Sequence, residues 1–254
     1  MNKYFLPGIF IFWIWADLVS AQVNPKDSIV FTTIVSTSFS VNFPGGDLVN
    51  RFGINGTVGG AFAFKTRKNW FYGINYEYIF GKDVKEWQIL NNLNTQDGFI
   101  INSDGMPTEI YLFERGYTLK GVFGKISPLL GKVKLGPNMN SGIFYWIGFG
   151  VLQHRIHIKS EVPQLQEEYA KGYDRLSNGI AVSEFIGYLY LGNTRMINFY
   201  FGVETCQAWT KNRRGYNYDM MSEDKESRLD LLTGFRFGWV LPLYKKVPNE
   251  FYYN

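Results

Sequence analysis

Eight segments of this chain have the composition of long β-strands, each ten or more residues long, and in seven of them bulky apolar residues alternate with small or polar ones with a period of two. The segments are 28–41, 52–65, 70–80, 111–125, 142–157, 179–191, 197–206 and 229–241. This period is that of a β-strand, whose successive side chains point to opposite faces. Globular strands have about five or six residues, whereas outer-membrane strands need about nine to eleven. The lengths therefore favour strands that cross a membrane.

The two faces of these segments differ in a way that predicts which one meets lipid. In 70–80, alternate positions from Trp70 to Phe80 are bulky and apolar, and the positions between them include Gly73, Asn75 and Glu77. A small, polar face fits the inside of a narrow barrel, and aromatic residues near strand ends are typical of interfacial girdles. Only segment 179–191 is apolar on both faces, and its register stays open.

Composition excludes several other classes of protein. Among 254 residues, 18% are aromatic, 19% are charged, 27 are glycine and one is cysteine. Disorder needs few aromatic residues and a high net charge, and a disulfide scaffold needs paired cysteines. The net charge of +4 is too small to indicate nucleic-acid binding by itself. Nucleic acid is accordingly not an expected partner.

The N-terminus has the three parts of an export signal. Lys3 is basic, residues 4–15 are apolar, and Val19 and Ala21 are small residues at the positions that a signal peptidase requires. A helix of about twelve residues covers about 18 Å, too short to cross a membrane core of about 30 Å. We expect a cleaved signal peptide over 1–21 and a barrel domain over 22–254.

The connections alternate in length as they do in transmembrane barrels. Residues 66–69 and 192–195 are tight turns, whereas 81–110, 159–177 and 211–228 are long and polar. The longer turn 127–140 contains prolines and is not predicted to form strands. The expected fold is all-β: an eight-stranded antiparallel transmembrane β-barrel of the outer membrane, with long extracellular loops and short periplasmic turns. Both termini would lie in the periplasm.

Two stretches resemble proteins of one bacterial phylum. The ending Val19-Ser20-Ala21-Gln22 is similar to export signals of Bacteroidota. The stretch 234–242, GFRFGWVLP, resembles the last strand of outer-membrane barrels in that phylum, including the PorT-like group. That resemblance implies a small outer-membrane barrel linked to type IX secretion.

Alternation also predicts which charged residues point into the lumen. They are Glu77, Glu114, Lys120, Glu204, Asp230 and Arg236, with Glu184 as a further candidate. Side chains fill the interior of an eight-stranded barrel, and opposite charges there are expected to pair. The favoured interpretation is a salt-bridged plug, and the alternative is a narrow, gated or proton-linked conduit.

Basic residues gather in the expected periplasmic turns and ends. They are Lys26, Lys65, Arg67, Lys68, Lys125, Lys132, Lys134, Arg195, Lys245 and Lys246, with few acidic residues beside them. We call Lys65, Arg67, Lys68, Lys132, Lys134, Arg195, Lys245 and Lys246 the basic rim. Each such charge near an anionic membrane surface contributes about 1 kcal/mol of attraction. Headgroup anchoring is the favoured role, and docking of an acidic periplasmic partner is the alternative.

The long loops offer contact residues but no catalytic set. Lys211, Arg213, Arg214, Tyr216 and Tyr218 interleave basic and aromatic side chains that could bind carbohydrate, lipopolysaccharide phosphate or protein, or form ordinary solvated loop.

The two histidines, His154 and His157, are three residues apart and would face opposite sides of a strand. We therefore expect no metal, no cofactor and no catalytic residues. A barrel enzyme acting on lipid would need a histidine beside a serine such as Ser160 or Ser183.

These observations predict a non-enzymatic outer-membrane protein, either a structural scaffold or an accessory subunit of an envelope or export assembly. Its partners would be outer-membrane lipid and other envelope or secretion-complex proteins. The alternatives are a narrow channel for small solutes and a lipid-modifying barrel enzyme.

Overall fold

The computed structural model describes residues 29–160, 162, 165–193 and 197–243. Eight strands in it form a closed barrel: β1 (Thr32–Gly46), β2 (Asn55–Lys65), β3 (Trp70–Gly81), β4 (Tyr111–Ser127), β7 (Gly142–Lys159), β8 (Ser177–Leu191), β9 (Asn198–Asn212) and β10 (Ser227–Leu243). Their order around the barrel is β1-β10-β9-β8-β7-β4-β3-β2, and all neighbours are antiparallel. The predicted fold is confirmed; the predicted signal peptide lies outside the described residues.

Short elements fill the connections. A hairpin of β5 (Leu129–Leu130) and β6 (Val133–Lys134) lies in the turn for which no strand was predicted, so that expectation was wrong. The turn residue Gly131, with φ of 62°, lets the chain reverse between them. Helix α1 (Leu48–Arg51), a 3₁₀ helix (Trp87–Leu93) and helix α2 (Glu167–Ala170) lie in the other connections. No helix of the described part of the chain is long and apolar enough to cross a membrane.

The connections define two ends of the barrel. The turn end carries the connections 66–69 and 128–141 and the ends of β8 and β9 that face each other, and the loop end carries 47–54, 82–110, 213–226 and the described residues between β7 and β8. Strand β1 begins and β10 ends at the turn end. The long connections predicted to be extracellular therefore share one end of the barrel, while 128–141 at the turn end is longer than 47–54 at the loop end.

Side-chain burial shows that the wall is inverted relative to a water-soluble barrel. On β1, Ser36, Ser38 and Ser40 are buried in the lumen, whereas Val35 and Phe39 are exposed on the outside. The outward side chains of β3 from Trp70 to Tyr78 are also exposed and apolar or aromatic. An apolar exterior around a polar interior suits a barrel surrounded by lipid.

The register of β8 resolves the open question of segment 179–191. Ser183 and Phe185 are buried in the lumen, so Glu184 points outward and is not a lumen charge. Phe52 also departs from prediction. Segment 52–65 is expected to be one strand with its bulky side chains toward lipid, but β2 begins only at Asn55, and Phe52 is fully buried beside Val84 at the loop end.

Candidate functional site

Four charged side chains meet in the lumen, and we call them the lumen ion cluster: Glu77 on β3, Lys120 on β4, Glu204 on β9 and Arg236 on β10. Lys120 Nζ lies 2.9 Å from Glu77 Oε2 and also contacts Glu204 Oε1. Arg236 Nη1 lies 2.5 Å from Glu77 Oε1 and 2.5 Å from Glu204 Oε2. Each carboxylate thus contacts both cations, and the charges balance.

Neutral groups add further hydrogen bonds to the cluster. Thr118 Oγ1 donates to Glu77 Oε2 at 3.2 Å. Arg236 donates to Tyr200 Oη at 3.1 Å and to Ser38 Oγ at 2.9 Å. Buried ion pairs offset their desolvation cost when such further hydrogen bonds are present. The contacts join five strands across the lumen.

The other two predicted lumen charges lie inside the barrel but in separate hydrogen-bonded groups. Asp230 Oδ2 accepts a hydrogen bond from Thr210 Oγ1 at 2.5 Å and lies 2.9 Å from His154 Nε2. Glu114 Oε2 accepts from Asn55 Nδ2 at 2.9 Å. Sequence reasoning assigned His154 no lumen partner, because Asp230 is 76 residues away in the chain.

An aromatic layer fills the lumen toward the turn end. Trp146 stacks on Phe185 with ring centroids 5.5 Å apart, and Phe144 packs against Phe71 at 4.9 Å and against Phe185 at 5.6 Å. Lys120 Nζ lies 5.6 Å from the Trp146 ring centroid, a cation–π distance that connects this layer to the lumen ion cluster. The interior here is more aromatic than the predicted small, polar face.

At the loop end, the connections fold over the barrel mouth and bury an apolar cluster. Its members include Leu48, Phe52, Val84, Ile89, Leu90, Leu112, Leu152, Ile156, Val162, Leu165 and Tyr173. Arg51 anchors this cap. Its Nε lies 3.1 Å from Glu86 Oε2, and its Nη1 donates to Ser177 Oγ at 3.1 Å. Burial lowers the pKa of the Arg51 guanidinium, and the charge of Glu86 opposes that shift.

Two small voids lie in the lumen among the described residues. One cavity of about 20 Å³ lies between Ser36, Asn75 and Trp146, and another of about 10 Å³ lies beside Glu77 and Cys206. A space of about 10–15 Å³ holds about one water molecule. The ion cluster, the aromatic layer and the loop cap therefore close the lumen at three levels.

The basic rim is only partly as expected. Arg67, Lys68, Lys132 and Lys134 are exposed at the turn end. The prediction that Lys65 belongs to the basic rim was wrong. Lys65 is buried, and its Nζ donates to Asn140 Oδ1 at 2.8 Å and to the Val30 carbonyl at 3.1 Å. Arg195, Lys245 and Lys246 lie outside the described residues.

The loop contact candidates divide into two groups. Lys211, Arg213, Tyr216 and Tyr218 are exposed. Arg214 instead donates to both Asp174 oxygens, at 2.8 Å from Nε and 2.5 Å from Nη2. That hydrogen bonding raises the pKa of the Arg214 guanidinium. Sequence reasoning missed Asp174, since nothing local connects residues 40 positions apart.

No described group of three or more His, Cys, Asp or Glu side chains could hold a metal ion. His154 is buried in the lumen and His157 is exposed outside, on opposite faces as expected. Cys206 is a buried free thiol.

Comparisons with known proteins concern the fold. No protein-family model matches the sequence, and no curated protein matches it. The chain is similar to the crystal structure of Neisserial surface protein A, with 8% identity, a TM-score of 0.42 and coverage of 82% of this chain and 96% of that one. It is also similar to Ail, the attachment invasion locus protein of Yersinia pestis, in complex with the heparin analogue sucrose octasulfate. There the identity is 8%, the TM-score 0.42, and coverage 83% of this chain and 99% of that one.

A third similar structure is that of the outer membrane protein AlkL in lipid bilayers. Its identity is 11% and its TM-score 0.36, with coverage of 98% of this chain and 100% of that one. A likeness at these identities concerns the outline of the barrel alone.

Proposed function

We propose that this chain is a non-enzymatic integral protein of the outer membrane that serves as an accessory subunit or scaffold of an envelope or export assembly, such as one of the type IX secretion kind. The apolar outer wall and the polar lumen support the location. The closed lumen supports a role carried out at the surfaces of the barrel rather than through it.

The observation that carries this proposal is the outward position of Glu184. On the same face of β8, its neighbours Val182 and Ile186 are apolar, and across the strands it pairs with Ile147 and Thr205. Thr205 pairs in turn with Thr233 on β10. A polar row of Glu184, Thr205 and Thr233 thus crosses three strands of an otherwise apolar wall.

A carboxylate facing lipid is costly, and such residues are usually matched by a partner. The outward Lys and Arg residues of the described strands lie toward the strand ends: Arg115, Lys125, Arg155, Lys159 and Lys211. The described strands of a second upright copy of this chain therefore offer no outward cation at the depth of Glu184. The row instead suits a membrane-embedded segment of another protein that carries a basic or hydrogen-bond-donating side chain.

The test is purification of the tagged protein from its own envelope in mild detergent, followed by mass spectrometry. Proteins that co-purify in fixed proportion would support the assembly role, and their identity would name the pathway. Recovery of the barrel alone, under conditions that keep another envelope complex intact, would overturn it.

The channel alternative has a separate test. Planar-bilayer recording of the purified barrel is expected to give no steady current, because the lumen is filled. A current that changes when Glu204→Ala removes one member of the lumen ion cluster would favour a conduit instead. The enzyme alternative would gain support only if His154→Ala abolished a modification of envelope lipid.

A further inference from the structure

Two arginines face each other on the outer wall near the loop end. Arg115 on β4 pairs directly with Arg155 on β7 in the strand register. Their neighbours along the strands, Glu114 and Ile156, are buried, so both arginines point outward. Side chains directly opposite on antiparallel strands have Cβ atoms about 4.5–5.5 Å apart, and like charges there are unfavourable. An anion bound between the two guanidinium groups would relieve that repulsion.

The protein itself supplies little of that compensation. Arg155 Nη1 lies 3.9 Å from Asp174 Oδ2, but Asp174 is already bound through both oxygens by Arg214. Within the described part of the chain, no carboxylate lies within ion-pair distance of Arg115. Its guanidinium instead lies 5.4 Å from the ring centroid of Phe113. The Arg115–Arg155 pair therefore keeps unbalanced positive charge at the surface.

A depression of about 500 Å³ surrounds the pair. Tyr78, Tyr117, Gln153 and His157 contribute to its lining. Ligand pockets have volumes of about 300–1,000 Å³ with a few convergent polar groups. This depression is open to solvent. It combines two guanidinium groups with tyrosine hydroxyl and glutamine amide groups that can form hydrogen bonds with a sugar.

The position of the pair relative to the apolar wall indicates what kind of ligand reaches it. Going from the pair toward the turn end, the outward columns of β4 and β7 pass Tyr117 and Gln153 and then become apolar with Leu119 and Val151. The pair thus lies at the loop-end border of the apolar, lipid-facing wall. In a membrane whose apolar core covers that wall, headgroup phosphates would lie at this border, with their acyl chains along the wall on the turn-end side of it.

We propose that Arg115 and Arg155 together bind the phosphate of a phosphorylated glycolipid of the outer leaflet. The planar guanidinium fork matches phosphate oxygens through paired hydrogen bonds, which an ammonium cannot reproduce. The ligand's charge offsets the repulsion between the two arginines, and its sugar lies in the depression against Tyr78 and Tyr117. This site relies on the outer-membrane location but on no protein partner.

The test measures the thermal unfolding midpoint of the purified barrel in neutral detergent during titration with lipid A that carries its phosphates. We expect the midpoint to rise, and half-saturation to need at least tenfold more lipid for Arg115→Gln and for Arg155→Gln. Lys159→Gln removes a cation from the same face of β7, four residues beyond Arg155, and is expected to titrate like the unaltered protein. Arg155→Lys keeps the positive charge but not the planar guanidinium group, and its half-saturating lipid concentration is expected to lie between those of the unaltered protein and Arg155→Gln.

Two further titrations distinguish the source of the phosphate. Dephosphorylated lipid A is expected to give no comparable shift, and inorganic phosphate is expected to act only at far higher concentration than the lipid. The proposal is overturned if the dephosphorylated lipid acts equally, if inorganic phosphate alone reproduces the effect at the lipid's concentration, or if both glutamine variants titrate normally. Since the assay contains no second protein, its failure leaves the assembly role untouched, and failure of the pulldown leaves this site untouched.

Discussion

Arg236 on β10 and Glu77 on β3 form an ion pair across the lumen, with 2.5 Å between Nη1 and Oε1, although β1 and β2 separate their strands in the barrel. Backbone hydrogen bonds connect only neighbouring strands, so this pair braces the wall across the lumen between strands three positions apart in the ring. Lys120 and Glu204 complete the brace from β4 and β9. The same four side chains hold the barrel in shape and occupy the space that a solute would need.

Replacing Arg236 by Met is expected to lower the free energy of unfolding by about 3–5 kcal/mol, because two buried carboxylates would then share one cation. Urea-dependent unfolding in lipid vesicles, followed by tryptophan fluorescence, measures the change. Arg67→Met at the exposed turn end is the control and should change the free energy of unfolding by less than about 0.5 kcal/mol. Equal effects of the two substitutions would contradict the bracing role.

Gly150 is required by the close approach of β7 to β4. A Cβ atom there would lie 1.9 Å from the carbonyl oxygen of Leu119, a main-chain atom that cannot move freely. Gly150→Ala is therefore expected to lower the free energy of unfolding by about 1–3 kcal/mol. Gly121→Ala is the matched control, since its Cβ would meet nothing nearer than 3.8 Å. The same unfolding assay measures both, and an equally tolerated Gly150→Ala would refute the packing described for this wall.

The aromatic layer contributes stability and is one of three closures of the lumen. Trp146→Ala removes the ring that stacks on Phe185, and we expect a loss of about 3–5 kcal/mol in the free energy of unfolding. We also expect no steady current from this variant in a planar bilayer, because the lumen ion cluster and the loop cap remain. Conduction by Trp146→Ala would show that the aromatic layer alone closes the barrel.

Glu184→Leu is expected to stabilise the isolated barrel in lipid vesicles, on the order of 1–2 kcal/mol, because it removes a carboxylate from the apolar wall. Glu168→Leu, at an exposed position on α2, is the control and should have little effect. Because the vesicles contain no other protein, the change in the free energy of unfolding reports only the cost of exposing Glu184 to lipid. A clear loss of stability in Glu184→Leu would mean that Glu184 stabilises the barrel by itself, and the reason for inferring a partner would be gone.

Alternation predicted most of the strands and most of the lumen charges, because parity along a strand fixes the face of each residue. Alternation failed in β8, because odd and even positions there are both largely apolar and the pattern does not show which face points inward. For Lys65 the alternation was informative, and the expectation of a basic rim overrode it. Its place near a turn suggested exposure, yet it has the same parity as the inward residues Thr57 and Ala63. Contacts such as Arg214 with Asp174 depend on how two loops meet, which no local pattern encodes.

The most direct test of the assembly role uses a photo-crosslinking amino acid on the outer wall in living cells. Placed at Ile186, which shares its face of β8 with Glu184, the probe is expected to capture one discrete envelope protein. Placed at Phe62 on β2, across the barrel, it is expected to capture lipid only. Adding Glu184→Leu to the Ile186 probe should weaken the protein adduct. Lipid adducts alone at both positions would contradict the proposed assembly subunit.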